Sequence, residues 1–80
     1  MKLYLCTSEH SIRRAEYLGY RQGEDLLVLA HDAVYDNRQG EQIVAGAADL
    51  ALRGLGNSRK SVSDSELLGM IMEHEQVIIL

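Results

Sequence analysis

The groups in this 80-residue chain with chemistry to offer are one thiol, three imidazoles and a few carboxylates and cations set beside apolar runs. Cys6 is the single cysteine, His10 follows it closely, and His31-Asp32 comes directly after the apolar run Leu26 to Ala30. If the segments before Cys6 and before His31 are neighbouring parallel strands, then Cys6, His10, His31 and Asp32 share one sheet edge. A thiolate whose pKa is lowered there by an imidazolium or a helix start can accept a sulphane sulphur and pass it on, with Cys6 as nucleophile and His31 or His10 assisting. The alternative is that Cys6 is a small apolar residue closing a strand, the common role of a free cysteine. No CxxC pair or second thiol supports relay chemistry within the chain, which weighs toward packing.

Cys6, His10, His31 and Asp32 are all metal-ligating types, but their spacing matches no standard zinc pattern, so no metal site is expected. Arg53, Arg59 and Lys60, separated by Gly54, Gly56 and Asn57, offer side chains and loop amides to a phosphate or an acidic partner. Solvated helix-end and loop cations are the competing reading. Neither GxGxxG nor a P-loop is present, so no nucleotide or other cofactor is expected. Of the four tyrosines, Tyr35 follows the central apolar run most directly and is the best interface candidate. His74 reads as a helix-end residue.

The elements that must position these groups follow from the pattern. Leu26 to Ala30 is too continuously apolar for a strand with one wet face, so it reads as a strand buried on both faces, with His31 to Tyr35 at its carboxyl end. Partners and ligands of open parallel sheets are met beyond those ends. Lys2 to Thr7 reads as a first strand ending near Cys6. Ser8 to Ser11 supplies cap candidates for a helix with Ile12, Ala15, Leu18 and Gly19 on one face, ended by Gln22-Gly23. Beyond the polar turn Asp36 to Gly40, Glu41 to Gly46 is predicted as a weak third strand. Ala47 to Leu55 follows as a short helix with Leu50 and Ala51 inward, stopped by Gly54 and Gly56. Asn57 to Lys60 is a loop and Ser61 to Ser63 a short strand. Ser63-Asp64-Ser65-Glu66 has capping-box spacing for a helix with Leu67, Leu68, Ile71 and Met72 as its apolar stripe. Gln76 to Leu80 closes the chain as an apolar strand, expected to be covered by the domain or by another subunit. Together these imply one α/β domain over residues 1–80, a three-layer sandwich with a mainly parallel sheet of about five strands and right-handed crossovers.

The totals narrow the function classes. A chain this short buries a modest core, so help from an oligomer is plausible. Apolar content of 46% with 25% charged residues argues for a folded globular domain. No run approaches the ~18 residues of a membrane span and no leader pattern is evident, so a cytoplasmic protein without membrane contact is expected. A net charge of −4 weighs against extended nucleic-acid binding, which draws its affinity from neutralising phosphates.

With the strands placed, the sequence resembles the DsrH/TusB family of the DsrE/DsrF/DsrH superfamily. The resemblance runs through Glu24-Asp25 before Leu26 to Leu29, Asp32-Ala33-Val34-Tyr35, Asp49-Leu50-Ala51-Leu52-Arg53-Gly54-Leu55 and Val62-Ser63-Asp64-Ser65-Glu66-Leu67-Leu68. It implies a DsrEFH-like α/β sandwich acting in sulphur transfer, in 2-thiolation of the tRNA wobble uridine or in sulphur oxidation. It further implies a subunit assembled with DsrE-like and DsrF-like partners, the persulfide-carrying cysteine belonging to the DsrE-like one. Self-association, a sulphur-carrier protein and direct tRNA contact stay open as partner readings. The same holds for a stand-alone sulphurtransferase using Cys6 and for a homo-oligomeric anion-binding module. Interface or binding roles fall to Asp32, Tyr35, Arg53, Arg59 and Lys60, and catalytic ones to Cys6 and His31.

Overall fold

Five short strands line up in one sheet in the computed structural model, which describes residues 1–40, 42–56 and 59–80. Glu41, Asn57 and Ser58, expected in the third strand and the following loop, lie outside the described residues. Strand β1 is Leu3–Cys6, helix α1 is Glu9–Tyr17 and β2 is Leu26–Leu29, followed by a 3₁₀ turn over His31–Tyr35. Then come β3 (Ile43–Gly46), α2 (Ala47–Leu52), β4 (Ser61–Val62), α3 (Asp64–Glu73) and β5 (Val77–Ile79). The sheet order is β4-β3-β2-β1-β5 and every pairing is parallel.

That order places the helices. The chain steps in one direction from β1 through β2 and β3 to β4, so right-handed connections put α1, the 3₁₀ turn and α2 on one face. The link from β4 to β5 runs back across the whole sheet in the opposite direction. The same handedness therefore puts α3 on the other face, completing three layers. The first face packs Tyr4, Cys6, Leu27, Leu29, Ile43 and Ala45 against Ile12, Ala15, Ala33, Val34 and Leu50. The second packs Leu3, Leu26, Val28, Val44 and Val62 against Leu67, Met70 and Ile71 of α3. β2, third of five strands, is buried at all four positions, as its unbroken apolar run requires.

The caps act where the sequence places them. Ser8 accepts from the Ser11 N–H to start α1. Ser63 accepts from the Glu66 N–H while Glu66 accepts from the Ser63 N–H, a complete capping box at the start of α3. Some boundaries and faces differ from expectation. α1 stops at Tyr17 because Gly19 turns the chain at φ 102°, so Leu18 is exposed instead of inward. α2 ends at Leu52, ahead of Gly54 at φ 71°, and Ala51 faces solvent while Leu50 is buried. In α3 the inward stripe is Leu67, Met70 and Ile71, leaving Leu68 and Met72 outside. The predicted strand Gln76 to Leu80 forms a three-residue edge strand only half covered by the domain.

Asp25 fastens the amino-terminal side of this sheet. Its buried carboxylate accepts the Lys2 N–H at 3.0 Å and the Arg21 N–H at 2.9 Å, tying the start of β1 to the turn before β2. Two backbone donors that would otherwise be stranded are satisfied by one side chain.

Candidate functional site

At the carboxyl edge of the sheet the chain leaves β2 through Ala30 in an extended conformation and reverses at His31, whose φ is +47°. A non-glycine residue in this region costs about 1 kcal/mol and persists where the surroundings impose it. The reversal starts the 3₁₀ turn, which buries Ala33 and Val34 and leaves His31, Asp32 and Tyr35 outside. On the neighbouring strand, β3 ends at Gly46, and α2 begins at once.

Asp49 and Arg53, one turn apart on or just past α2, meet the 3₁₀ turn from the side. Arg53 is the centre of the cluster. Its guanidinium lies 3.1 Å from Asp32 Oδ1 and 3.7 Å from Asp49 Oδ1, and donates to the Asp49 backbone oxygen at 3.2 Å. It also stands 5.9 Å from the centroid of the Tyr35 ring, within cation–π range. His31 Nδ1 is 3.8 Å from Asp49 Oδ1, an ion pair when the imidazole is protonated. A side chain at Gly46 would meet the Asp49 carboxylate at 3.0 Å, so the glycine makes room for it. His31 is well exposed whereas Arg53 is mostly covered, which makes Arg53 the positioning group and His31, Asp32 and Tyr35 the presented ones.

The other expected residues go elsewhere. β1 and β2 are parallel neighbours, with Cys6 beside Leu29, so Cys6 does reach the same edge as His31. Its side chain, however, is turned inward and fully buried in the first core. Burial pushes the thiol up to about 11, opposed by the nearby Arg38 guanidinium and reinforced by Asp36, so it is protonated at neutral pH. The arrangement in which Cys6 acts as a nucleophile assisted by His31 or His10 is therefore not the one the fold presents. His10 is exposed in the first turn of α1.

Arg53, Arg59 and Lys60 do not form one basic patch. Arg53 is neutralised by two carboxylates as described. Arg59 donates to the backbone oxygens of Arg38 and Asp36, closing the loop after the 3₁₀ turn, and shares with Tyr35 a cleft also lined by Val34, Asn37 and Leu55. Lys60 lies on the opposite face, on the rim of a groove of about 640 Å³ between α3 and β2 to β4. No cluster of histidine, cysteine and acidic residues suited to a metal ion occurs among the described residues.

In the sequence Asp49 stands out only as the first residue of the Asp49 to Leu55 segment, with no role of its own. The signal was present, since Asp49 and Arg53 are i and i+4 on a short helix and meet on one face. Comparison with protein-family models, with curated proteins and with solved structures finds no match.

One consequence concerns His31 itself. Replacing it with glycine is expected to relieve the left-handed strain and leave stability unchanged or raised by up to about 1 kcal/mol, the exposed ion pair contributing less than the strain costs. His31→Ala keeps the strain and loses the ion pair, so it is expected to be the less stable variant. Urea midpoints of the two proteins compared with the parent check the order.

Proposed function

We propose that the chain is a small, non-catalytic subunit of a sulphur-relay complex, supporting 2-thiolation of the tRNA wobble uridine or sulphur oxidation. The observation that carries the non-catalytic part is Cys6, a lone thiol buried and held protonated. A sulphur acceptor needs a reachable thiolate, and Cys6 offers neither access nor charge. The family part rests on the sequence resemblance, with which the all-parallel α/β sheet is compatible.

The role left to the chain is to complete an oligomer with DsrE-like and DsrF-like partners, one of which supplies the working cysteine. The surface offered for this is the edge formed by His31, Asp32 and Tyr35 on the Arg53 hub. Aromatic and arginine side chains are the types that anchor such contacts, and Tyr35 stands exposed within cation–π range of the covered Arg53. Anion binding is less well supported, because Arg53 is paired with carboxylates and Arg59 is tied to backbone oxygens within the chain.

Co-expression with DsrE-like and DsrF-like proteins tests the proposal. The chain is expected to co-purify with them and to lose the association when Tyr35 is replaced by serine. A chain that stays apart from both partners speaks against it.

A further inference from the structure

The two edges of the sheet are treated differently. β4 has only Ser61 and Val62 and is preceded by Arg59 and Lys60, the short and charged edge that resists pairing. β5 is one residue longer, and its nearest charged side chain, Glu75, stands two residues before it. Residues 76–80 read Gln-Val-Ile-Ile-Leu, without charged side chains or proline, and Ile79 is 68% exposed.

The hydrogen-bond phase fixes which backbone groups that edge offers. Leu3 N–H donates to the Gln76 oxygen at 3.0 Å and Leu80 N–H to the Leu5 oxygen at 2.9 Å, with Leu3 beside Val77 and Leu5 beside Ile79. In this parallel register Ile78 turns its N–H and C=O toward β1, and Val77 and Ile79 turn theirs outward. The outward groups are thus arranged symmetrically about Ile78.

Side chains on the second face extend the same edge. Val77 is half-buried there, and Ile79, two residues on, projects from the same face. The flank of α3 bearing Glu66, Gly69 and Glu73 borders the groove toward β2 to β4. At 100° per residue Leu68 and Met72 fall on the other flank, toward β1 and β5, where they are 59% and 78% exposed.

We infer that β5 pairs antiparallel with β5 of a second copy of this chain about a two-fold axis through Ile78, joining two sheets into one of ten strands. In that register Val77 exchanges both backbone hydrogen bonds with Ile79 of the second copy, and Ile78 faces Ile78. The apolar side chains of Val77 and Ile79 meet on one face, beside Leu68 and Met72. A second copy fits because the outward groups are self-complementary, and because the segment that pairs, residues 76–80, carries no charged side chain to repel its own copy. The inference is independent of sulphur chemistry and uses a surface separate from the Tyr35 edge.

Light scattering on the purified chain alone tests it, the expected mass being twice 8.9 kDa. Ile79→Pro removes an outward N–H while sparing the ladder to β1. It is expected to weaken self-association about thirtyfold with an unchanged circular dichroism spectrum. Ile78→Cys sets two thiols across the axis, where Cα atoms of a non-hydrogen-bonded pair stand about 4.5 Å apart, and air oxidation is expected to yield a covalent dimer. If Ile79→Pro fails to fold, the Ile78→Cys cross-link decides. A monomeric parent, a dimer undisturbed in folded Ile79→Pro, or no cross-link at position 78 overturns the inference, whatever the relay partners do.

Discussion

Asp25→Ala is expected to remove about 2 to 4 kcal/mol of stability, seen as a lower urea midpoint at unchanged slope. The loss is not that of a surface charge. Asp25 is buried, and truncating it takes the shared acceptor from the part-buried N–H groups of Lys2 and Arg21. A domain of this size has about 4 to 12 kcal/mol in total, so the variant sits near the edge of folding. Asp25→Asn keeps one acceptor and faces its amide toward the other donor, so an intermediate loss is expected.

The same carboxylate sets an acid limit. Burial pushes its pKa up, but the hydrogen bonds from Lys2 and Arg21 and the nearby positive charges pull it down further, and the folded value ends below the usual 3.8. A group with a lowered folded pKa contributes fully above its unfolded value and loses that contribution as pH falls through the folded one. The parent chain is therefore expected to weaken below about pH 4. Asp25→Asn should show a shallower dependence there, which urea titrations across pH 2 to 6 would reveal.

Leu50→Ala carries the second large effect. Leu50 is the only residue of α2 that is fully buried, and it plugs the first core between the 3₁₀ turn and β3. Leucine-to-alanine changes at such sites cost about 2 to 5 kcal/mol, the lower part of the range applying where neighbours collapse into the space. A six-residue helix is able to shift inward, so about 2 to 3 kcal/mol is expected. Asp49 and Arg53 ride on the same helix end, so its shift pulls the guanidinium off Asp32 and Tyr35. Faster exchange of the Arg53 Nη protons, with Leu50→Met as the volume-conserving control, would register that coupling.

Much of the scaffold is legible in the sequence because its signals are local. The Ser63 to Glu66 spacing and the unbroken Leu26 to Leu29 run each depend on a few adjacent residues. The inward face of α3 is a different case, since Leu67-Leu68 and Ile71-Met72 form two adjacent stripes of equal hydrophobicity. The choice between them is made by where the helix crosses the sheet. The choice between the two readings of Cys6 is open in the sequence for a related reason. A strand covered on both faces shows no alternation, so Leu-Tyr-Leu-Cys does not reveal which way the thiol points. The His31 reversal has no local sequence mark, and the strand order depends on pairings far apart in the chain. The Asp49–Arg53 contact, at i and i+4 on one helix, is within reach of spacing rules.

We propose that this chain supports sulphur transfer without carrying the sulphur. The most direct measurement is the intact mass of the chain, co-purified with DsrE-like and DsrF-like partners, after incubation with a cysteine desulphurase and cysteine. The expected result is added sulphur on the DsrE-like subunit and an unchanged mass for this chain. A persulfide on Cys6 would contradict the claim and restore the thiol as the working group.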